Sequence, residues 1–205
     1  MFFLVRAPAS TLPLIDPIRP VLARELPRGR AWCYELKLDG FRGTLYIHRG
    51  AAELRSKTQR PMGRFADLAG RVARELKVAD AILDGEIVVM DADGPRFDAL
   101  MFHRGVPQFA AFDLLWLDGR DLRALPYGER KASLRRLIRR QPWVSFVESH
   151  AKATLFEAAA RMDLEGIVAK RRHDPYAPAT RWVKVKNPSY SQNVGRWELF
   201  SRRGR

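Results

Sequence analysis

Lys37 lies in the stretch Glu35-Leu36-Lys37-Leu38-Asp39-Gly40-Phe41-Arg42, two residues ahead of an Asp-Gly pair and with an arginine behind it. Cys33, Tyr34, Leu36, Leu38 and Phe41 make its surroundings apolar. A lysine at a strand end beside a tight turn can present its amine to a cleft. For the K-x-D-G pattern alone, a surface lysine ahead of a hairpin is the plainer reading. Four further stretches bear on the choice. Leu83-Asp84-Gly85-Glu86 sets carboxylates inside an otherwise apolar strand, where acids are paired or functional because an unpaired buried carboxylate is costly. Phe112-Asp113-Leu114-Leu115 places an aromatic in a strand, which by itself reads as core. Glu165-Gly166-Ile167-Val168-Ala169-Lys170 carries an acid and a lysine at the two ends of an apolar strand. In Trp182-Val183-Lys184-Val185-Lys186 the alternation puts Lys184 and Lys186 on one face, a cationic shelf suited to a phosphate chain.

The elements that must position these residues follow from periodicity. Residues 1–30 hold Pro8, Pro13, Pro17, Pro20 and Pro27, a density that no long helix or central strand survives. They predict an extended arm on the domain with a short helical turn near Val21 to Glu25. Strands are predicted over 31–38, 43–48 and 52–56, the second pairing with the first or following it. Phe65, Leu68, Val72 and Leu76 then recur at helical spacing. Strands follow over 81–90 and 109–117, closed by the turns Asp91-Ala92-Asp93-Gly94 and Asp118-Gly119. Leu134, Leu137 and Ile138 mark a second helix whose other face holds Arg135, Arg136, Arg139 and Arg140. A short strand at 144–148, a helix through Leu155, Ala158, Ala159 and Met162, and strands over 166–170 and 181–186 complete the series. Strands outnumber helices and short turns join several of them, so the fold class is α+β with largely antiparallel sheets.

A net charge of +14 points to a polyanionic partner, nucleic acid first. With 46% apolar and 29% charged residues the chain can build a packed core, which excludes global disorder. Cys33 is the one cysteine, so an internal disulfide and a multi-cysteine zinc site are excluded. No apolar run reaches the ~18 residues of a membrane span, and the short apolar start Met1-Phe2-Phe3-Leu4-Val5 lacks a signal-peptide core. These features predict a soluble cytoplasmic protein with no membrane partner.

In this order the five stretches resemble the covalent nucleotidyltransferase superfamily, and within it the ATP-dependent DNA ligases. Lys37-Leu38-Asp39-Gly40-Phe41-Arg42 is similar to that family's K-x-D-G-x-R nucleophile motif. Ser56-Lys57 resembles the next motif, where the family usually has Ser-Arg; lysine keeps the charge and loses the bidentate fork. Asp84-Gly85-Glu86, Phe112-Asp113-Leu114-Leu115, Glu165-Gly166 with Lys170, and Lys184-Val185-Lys186 resemble the later motifs in order. Arg60-Pro61-Met62 and the stretch from Phe112 to Gly119 are similar to the bacterial end-joining repair ligases. The resemblance covers about residues 20–190. It implies an ATP-grasp-like adenylation domain over 31–187, built on largely antiparallel sheets with flanking helices. An N-terminal Pro-rich arm (1–30) is expected before it and a basic C-terminal tail (188–205) after it, with no OB-fold domain expected within these residues.

The resemblance further implies that Lys37 attacks the α-phosphorus of ATP to form lysyl-AMP. AMP then passes to the 5′-phosphate of a nick in double-stranded DNA, and the 3′-hydroxyl displaces it, in DNA repair or recombination. An ordinary lysine, with a pKa of about 10.4, is almost wholly protonated at neutral pH, so the site must favour deprotonation. The implied nucleotide-binding residues are Glu35, Arg42, Lys57, Glu86, Phe112, Lys184 and Lys186. Phe112 would stack on adenine and Glu35 would read its polar edge, while Glu86 and Glu165 would hold Mg²⁺ (or Mn²⁺). Asp39 either shapes the turn or serves the site, Asp84 is a site acid or a structural one, and Lys170 is a site residue or a solvated strand end. Arg135, Arg136, Arg139 and Arg140, then Arg171 and Arg172, then Arg202, Arg203 and Arg205 form three basic groups for phosphate contact. A separate OB-fold or end-joining protein would be a natural partner. An RNA ligase, a capping guanylyltransferase and a non-catalytic DNA-binding relic of the fold are the alternatives.

Overall fold

Two mostly antiparallel sheets carry the chain, described here from a computed structural model over residues 12–92, 94–139 and 141–193. In chain order the elements are β1 (Val21–Leu22), β2 (Trp32–Leu36), β3 (Phe41–His48), β4 (Ala51–Ser56), α1 (Ala66–Leu76), β5 (Asp80–Asp91), β6 (Gly94–Pro95), α2 (Phe97–Met101), β7 (Pro107–Leu117), β8 (Arg120–Asp121), α3 (Tyr127–Leu137), β9 (Val144–Phe146), β10 (Ser149–His150), α4 (Leu155–Arg161), β11 (Gly166–Arg171) and β12 (Val183–Lys186). The larger sheet runs β4-β3-β5-β7-β8, with β6 on β5 and β9 parallel to β7; the smaller runs β1-β12-β11-β2-β10. This is the α+β, antiparallel-rich architecture that the pattern of elements predicts.

Alternation along the strands explains how the layers stack. Leu45, Ile47 and Leu83 point to one face of the larger sheet, where α1 delivers Leu68, Ala69, Val72 and Leu76 and α3 delivers Leu134. Tyr46 and Ile82 point the other way and meet Leu12, Ile15, Ile18, Tyr176 and Trp182, the layer between the two sheets. On the outer face of the smaller sheet, Tyr34, Ile167 and Ala169 pack with Ala159 of α4 and with Leu164. Lys37 follows β2 and Arg42 opens β3, so the Asp39-Gly40 turn carries the chain from one sheet to the other across the gap between them.

Several elements differ from expectation. Val21 and Leu22 form a strand, not a helical turn: they pair parallel to Val183 and Lys184, and the Val21 and Ala23 amides donate to the Trp182 and Lys184 carbonyls. An open strand edge offers this segment ladder bonds that a single helical turn cannot match. Of the two placements left open for β3, the structure shows the second: it follows β2 without pairing with it and pairs with β4 and β5. α3 begins at Tyr127, well ahead of its apolar signal at Leu134, because its first turns bury Tyr127, Arg130 and Lys131. Residues past 187 stay on the domain as far as they are described: Tyr190 is buried and Ser191 binds Asp163. Arg140 and the group Arg202, Arg203 and Arg205 lie outside the described residues. Among the described residues no helix is long and apolar enough to cross a membrane.

Two glycines fix the geometry of the strand ends. A Cβ on Gly40 would lie 2.1 Å from the Ile87 carbonyl oxygen, so the turn after Lys37 can lie against β5 only as glycine. Gly166 has φ +144°, and a Cβ there would lie 2.1 Å from the Val185 carbonyl oxygen. The Gly166 carbonyl accepts from the Lys37 amide at 2.8 Å, and Gly166 pairs with Lys186. Gly166→Ala is therefore expected to destabilise the fold by at least about 2 kcal/mol, measured as a lower midpoint in urea, whereas alanine at the solvent-facing turn residue Gly63, with nothing near its Cβ position, should cost far less.

Candidate active site

Lys37 opens into a cleft of about 230 Å³ between the sheets, lined among others by Leu36, Arg42, Lys57, Glu86, Phe112, Val168 and Lys184. A more open groove of about 530 Å³ continues past Lys37, Asp39, Ser56, Lys57, Glu86 and Glu165. Lys37 Nζ donates to Glu165 Oε2 at 2.5 Å, and Lys186 Nζ stands 3.7 Å from Glu165 Oε1. Lysine, carboxylate and second lysine thus form a line across the ends of β2, β11 and β12. Lys184 lines the cleft, and burial first, then the charges of Lys37 and Lys186, push its ammonium below the ordinary lysine value.

Arg42 is clamped by the buried carboxylate of Asp84, its Nε and Nη2 donating to Oδ1 and Oδ2 at 2.6 Å each. The Tyr176 hydroxyl donates to the same Asp84 at 2.7 Å. Burial works against the Arg42 charge, but Asp84 outweighs it and holds the guanidinium above its ordinary value. Asp84 is therefore the structural acid of the two alternatives, and it fixes Arg42 beside the Phe112 ring, 4.6 Å from its centroid. Asp39 is buried and accepts from the Tyr190 hydroxyl at 3.0 Å, which anchors the turn behind Lys37.

Glu35 and Lys170 depart most from the sequence reading. Lys170 is not a solvated strand end: it is 2% exposed, and its ammonium lies 2.6 Å from Glu35 Oε2. The rings of Trp182, Phe112 and Tyr127 surround it, with centroids at 4.0, 4.3 and 5.3 Å. Burial lowers its pKa to about 8 despite the opposing pull of Glu35. The other Glu35 oxygen accepts from Lys131 Nζ and from the Tyr127 hydroxyl, each at 2.5 Å. Burial would raise the Glu35 carboxyl, but Lys131 and Lys170 outweigh it and hold the group below the usual carboxylate range. Glu35 lines the cleft with its oxygens already engaged by Lys170, Lys131 and Tyr127. Lys131 and Tyr127 gave no local signal in the sequence, since both sit on a helix whose apolar positions start later.

Glu86 sits at the meeting point of cleft and groove. Burial lifts its carboxyl to about 7; Lys37 and Arg42 pull it down, Glu165 and Asp39 push it up, and burial prevails. A carboxylate short of positive charge, with Glu165 on the neighbouring sheet, suits a hard divalent cation. Among the described residues no group of three or more His, Cys, Asp or Glu gathers. The donor set therefore fits an ion held by one or two carboxylates with water and substrate phosphates, the common manner of Mg²⁺.

The structure brings Lys37, Arg42, Lys57, Glu86, Phe112 and Lys184 to one cleft, with Glu35 in its wall and Glu165 and Lys186 at its mouth. Residues 18–186 match the family model of the ATP dependent DNA ligase domain.

The chain belongs to this ligase family. The multifunctional non-homologous end joining protein LigD of Mycobacterium bovis is 34% identical over 194 residues, covering 89% of this chain and 26% of that protein. The LigD of Pseudomonas aeruginosa is 32% identical over 189 residues, 85% of this chain and 22% of its own length. The chain thus spans about a quarter of the length of these two relatives. The solved ligase domain of LigD from Mycobacterium tuberculosis superposes with a TM-score of 0.66 at 32% identity, over 82% of this chain and 58% of that one.

The raised carboxyl of Glu86 in this ligase domain has a thermodynamic signature. Its ordinary value is 4.5, so between pH 4.5 and about 7 the folded state binds more protons than the unfolded state. Stability from this group is full below the lower value and is lost as pH rises through about 7. Glu86→Gln is expected to raise Tm by a few degrees at pH 8, on the order of 2 kcal/mol, and to change it little at pH 4.5. Thermal melts of both proteins across that range check the sign.

Proposed function

We propose that this chain is the nucleotidyl-transfer domain of a DNA-sealing enzyme that uses ATP. The observation that supports this most is the Lys37–Glu165 contact at the mouth of a cleft walled by Phe112 and Val168 and floored with cations. Phe112 and Val168 take the two faces of the adenine ring, and Lys184 and Arg42 take the phosphates. The Lys37 ammonium passes a proton to Glu165, and Nζ attacks the α-phosphorus. The N–P bond forms as the P–O bond to pyrophosphate breaks. Lys184, Lys186 and Arg42 stabilise the charge that spreads over the non-bridging oxygens. AMP then moves to the 5′-phosphate of a nick in duplex DNA, and the 3′-hydroxyl displaces it to close the strand.

Glu86 and Glu165 would hold Mg²⁺, which when bound supplies charge neutralisation at the phosphates. Lys37 keeps its place during the reaction because the Gly166 carbonyl holds its backbone amide. The enzyme's setting is the bacterial cytoplasm, in end-joining repair, as the names of its relatives suggest.

Incubation with ATP labelled at the α-phosphate should leave a covalent label on the protein. Lys37→Ala should abolish it by about a thousandfold or more. If wild type and Lys37→Ala label alike, or neither labels, the nucleotidyl-transfer reading is lost. GTP labelling in place of ATP would redirect it to a capping-type enzyme. Separately, Glu165→Gln should slow labelling at saturating ATP by about a hundredfold, as removal of a general base does. An unchanged rate at saturating ATP with weaker ATP binding would assign Glu165 to binding alone.

A further inference from the structure

The end of the smaller sheet remote from Lys37 carries a row of cations that the reaction does not use. Lys37 leaves β2 at one end, whereas Trp32, at the other, pairs with Arg171. Arg181 enters β12 there, Arg171 and Arg172 leave β11, Arg28 and Arg30 precede β2, and Lys152 follows β10. All six are exposed. Elsewhere on the surface Arg71 has Asp67, Arg96 has Asp91, Arg104 has Asp98, Arg123 has Asp121 and Arg135 has Glu148, while among the described residues exposed arginines such as Arg49, Arg74 and Arg161 stand singly without an acid. Among the described residues none of the six rim cations makes an ion pair, although Glu25 and Asp174 are close in the chain.

The rim is also built to hold its shape. Arg171 lies with its guanidinium 4.9 Å from the Trp32 ring centroid, and the Arg172 amide donates to the Ala31 carbonyl at 2.8 Å. Gly29 takes φ +116° and its carbonyl accepts from the Trp32 amide, closing the turn that presents Arg30. Exposed cations spread over four neighbouring strand ends match an extended polyanion better than they match a single small anion. From Gly166 to Arg171 the strand climbs five steps, about 17 Å at ~3.4 Å each. Duplex DNA carries one phosphate per strand every ~3.4 Å, so that distance equals about five base pairs.

We propose that this rim is a second phosphate-backbone site, gripping the duplex about five base pairs from the nick held at Lys37. It rests on the ligase reading and adds to it the place where the flanking duplex is held. The substrate for the test is a nicked DNA dumbbell with about four base pairs on one side of the nick and about twelve on the other, in both orientations. Wild type should bind the orientation that reaches the rim several-fold more tightly. Arg171→Ala/Arg172→Ala should lose that preference and lower the slope of log affinity against log salt by about two. Arg28→Ala/Arg30→Ala, in a separate turn, should do the same, so poor folding of one variant leaves the other to decide. Unchanged slopes and an unchanged orientation preference in both variants overturn the rim. Labelling of wild type by α-labelled ATP, run on the same preparation, reports on the ligase reading by itself. Label with unchanged slopes removes the rim alone, whereas no label and no nick binding removes both.

Discussion

The contact between Lys37 and Glu165 depends on the antiparallel pairing of β2 with β11, and that pairing depends on a backbone that only glycine adopts. Gly166 at φ +144° lets β11 start flush against β12 while Glu165, one residue earlier, turns toward the end of β2. Its carbonyl then takes the Lys37 amide, so the backbone of the amine-bearing residue and the carboxylate beside it are set by one peptide unit. A side chain there would open both at once. The reactive pair is thus a property of sheet pairing, and loop flexibility has little part in it.

The second constraint is the treatment of buried charge. Asp84 and Asp113 face each other across β5 and β7, both fully buried, where like charges destabilise a strand pair. Each has its own arginine gripping both oxygens: Arg42 from β3 for Asp84, and Arg130 from α3 for Asp113. Arg130 also donates to the Leu125 and Asp174 carbonyls, so α3 and the loop after β11 are drawn onto the same acid. Glu35 joins Lys131 of α3 to Lys170 of β11 in the same way. Such pairs add little net stability over an apolar core, but removing one partner strands a buried charge. They make the relative placement of the two sheets specific, and the cleft walls inherit that specificity.

What could be seen in the sequence was whatever repeats locally. Lys184 and Lys186 on one face, the helix through Leu68 and Val72, and the acids within an apolar strand at Asp84 and Glu86 all follow from period and composition over a few residues. The order of the motifs around Lys37 and Phe112 carried the family. What the sequence hid was partnership over long separations. Asp84 and Glu86 look alike in the chain, yet one is a clamp for Arg42 and the other is a carboxyl short of counter-charge. Lys170 reads as a strand end because its aromatic neighbours, Phe112, Tyr127 and Trp182, come from three other segments. Val21 and Leu22 became a strand only because β12 presents an edge far along the chain.

Tyr190 reaches back across the domain to Asp39, one turn from the amine of Lys37. That hydrogen bond ties the chain after β12 to the turn behind Lys37, and the close approach of Gly40 to Ile87 leaves that turn no room to shift, so the two ends of the smaller sheet's central strands share one anchor.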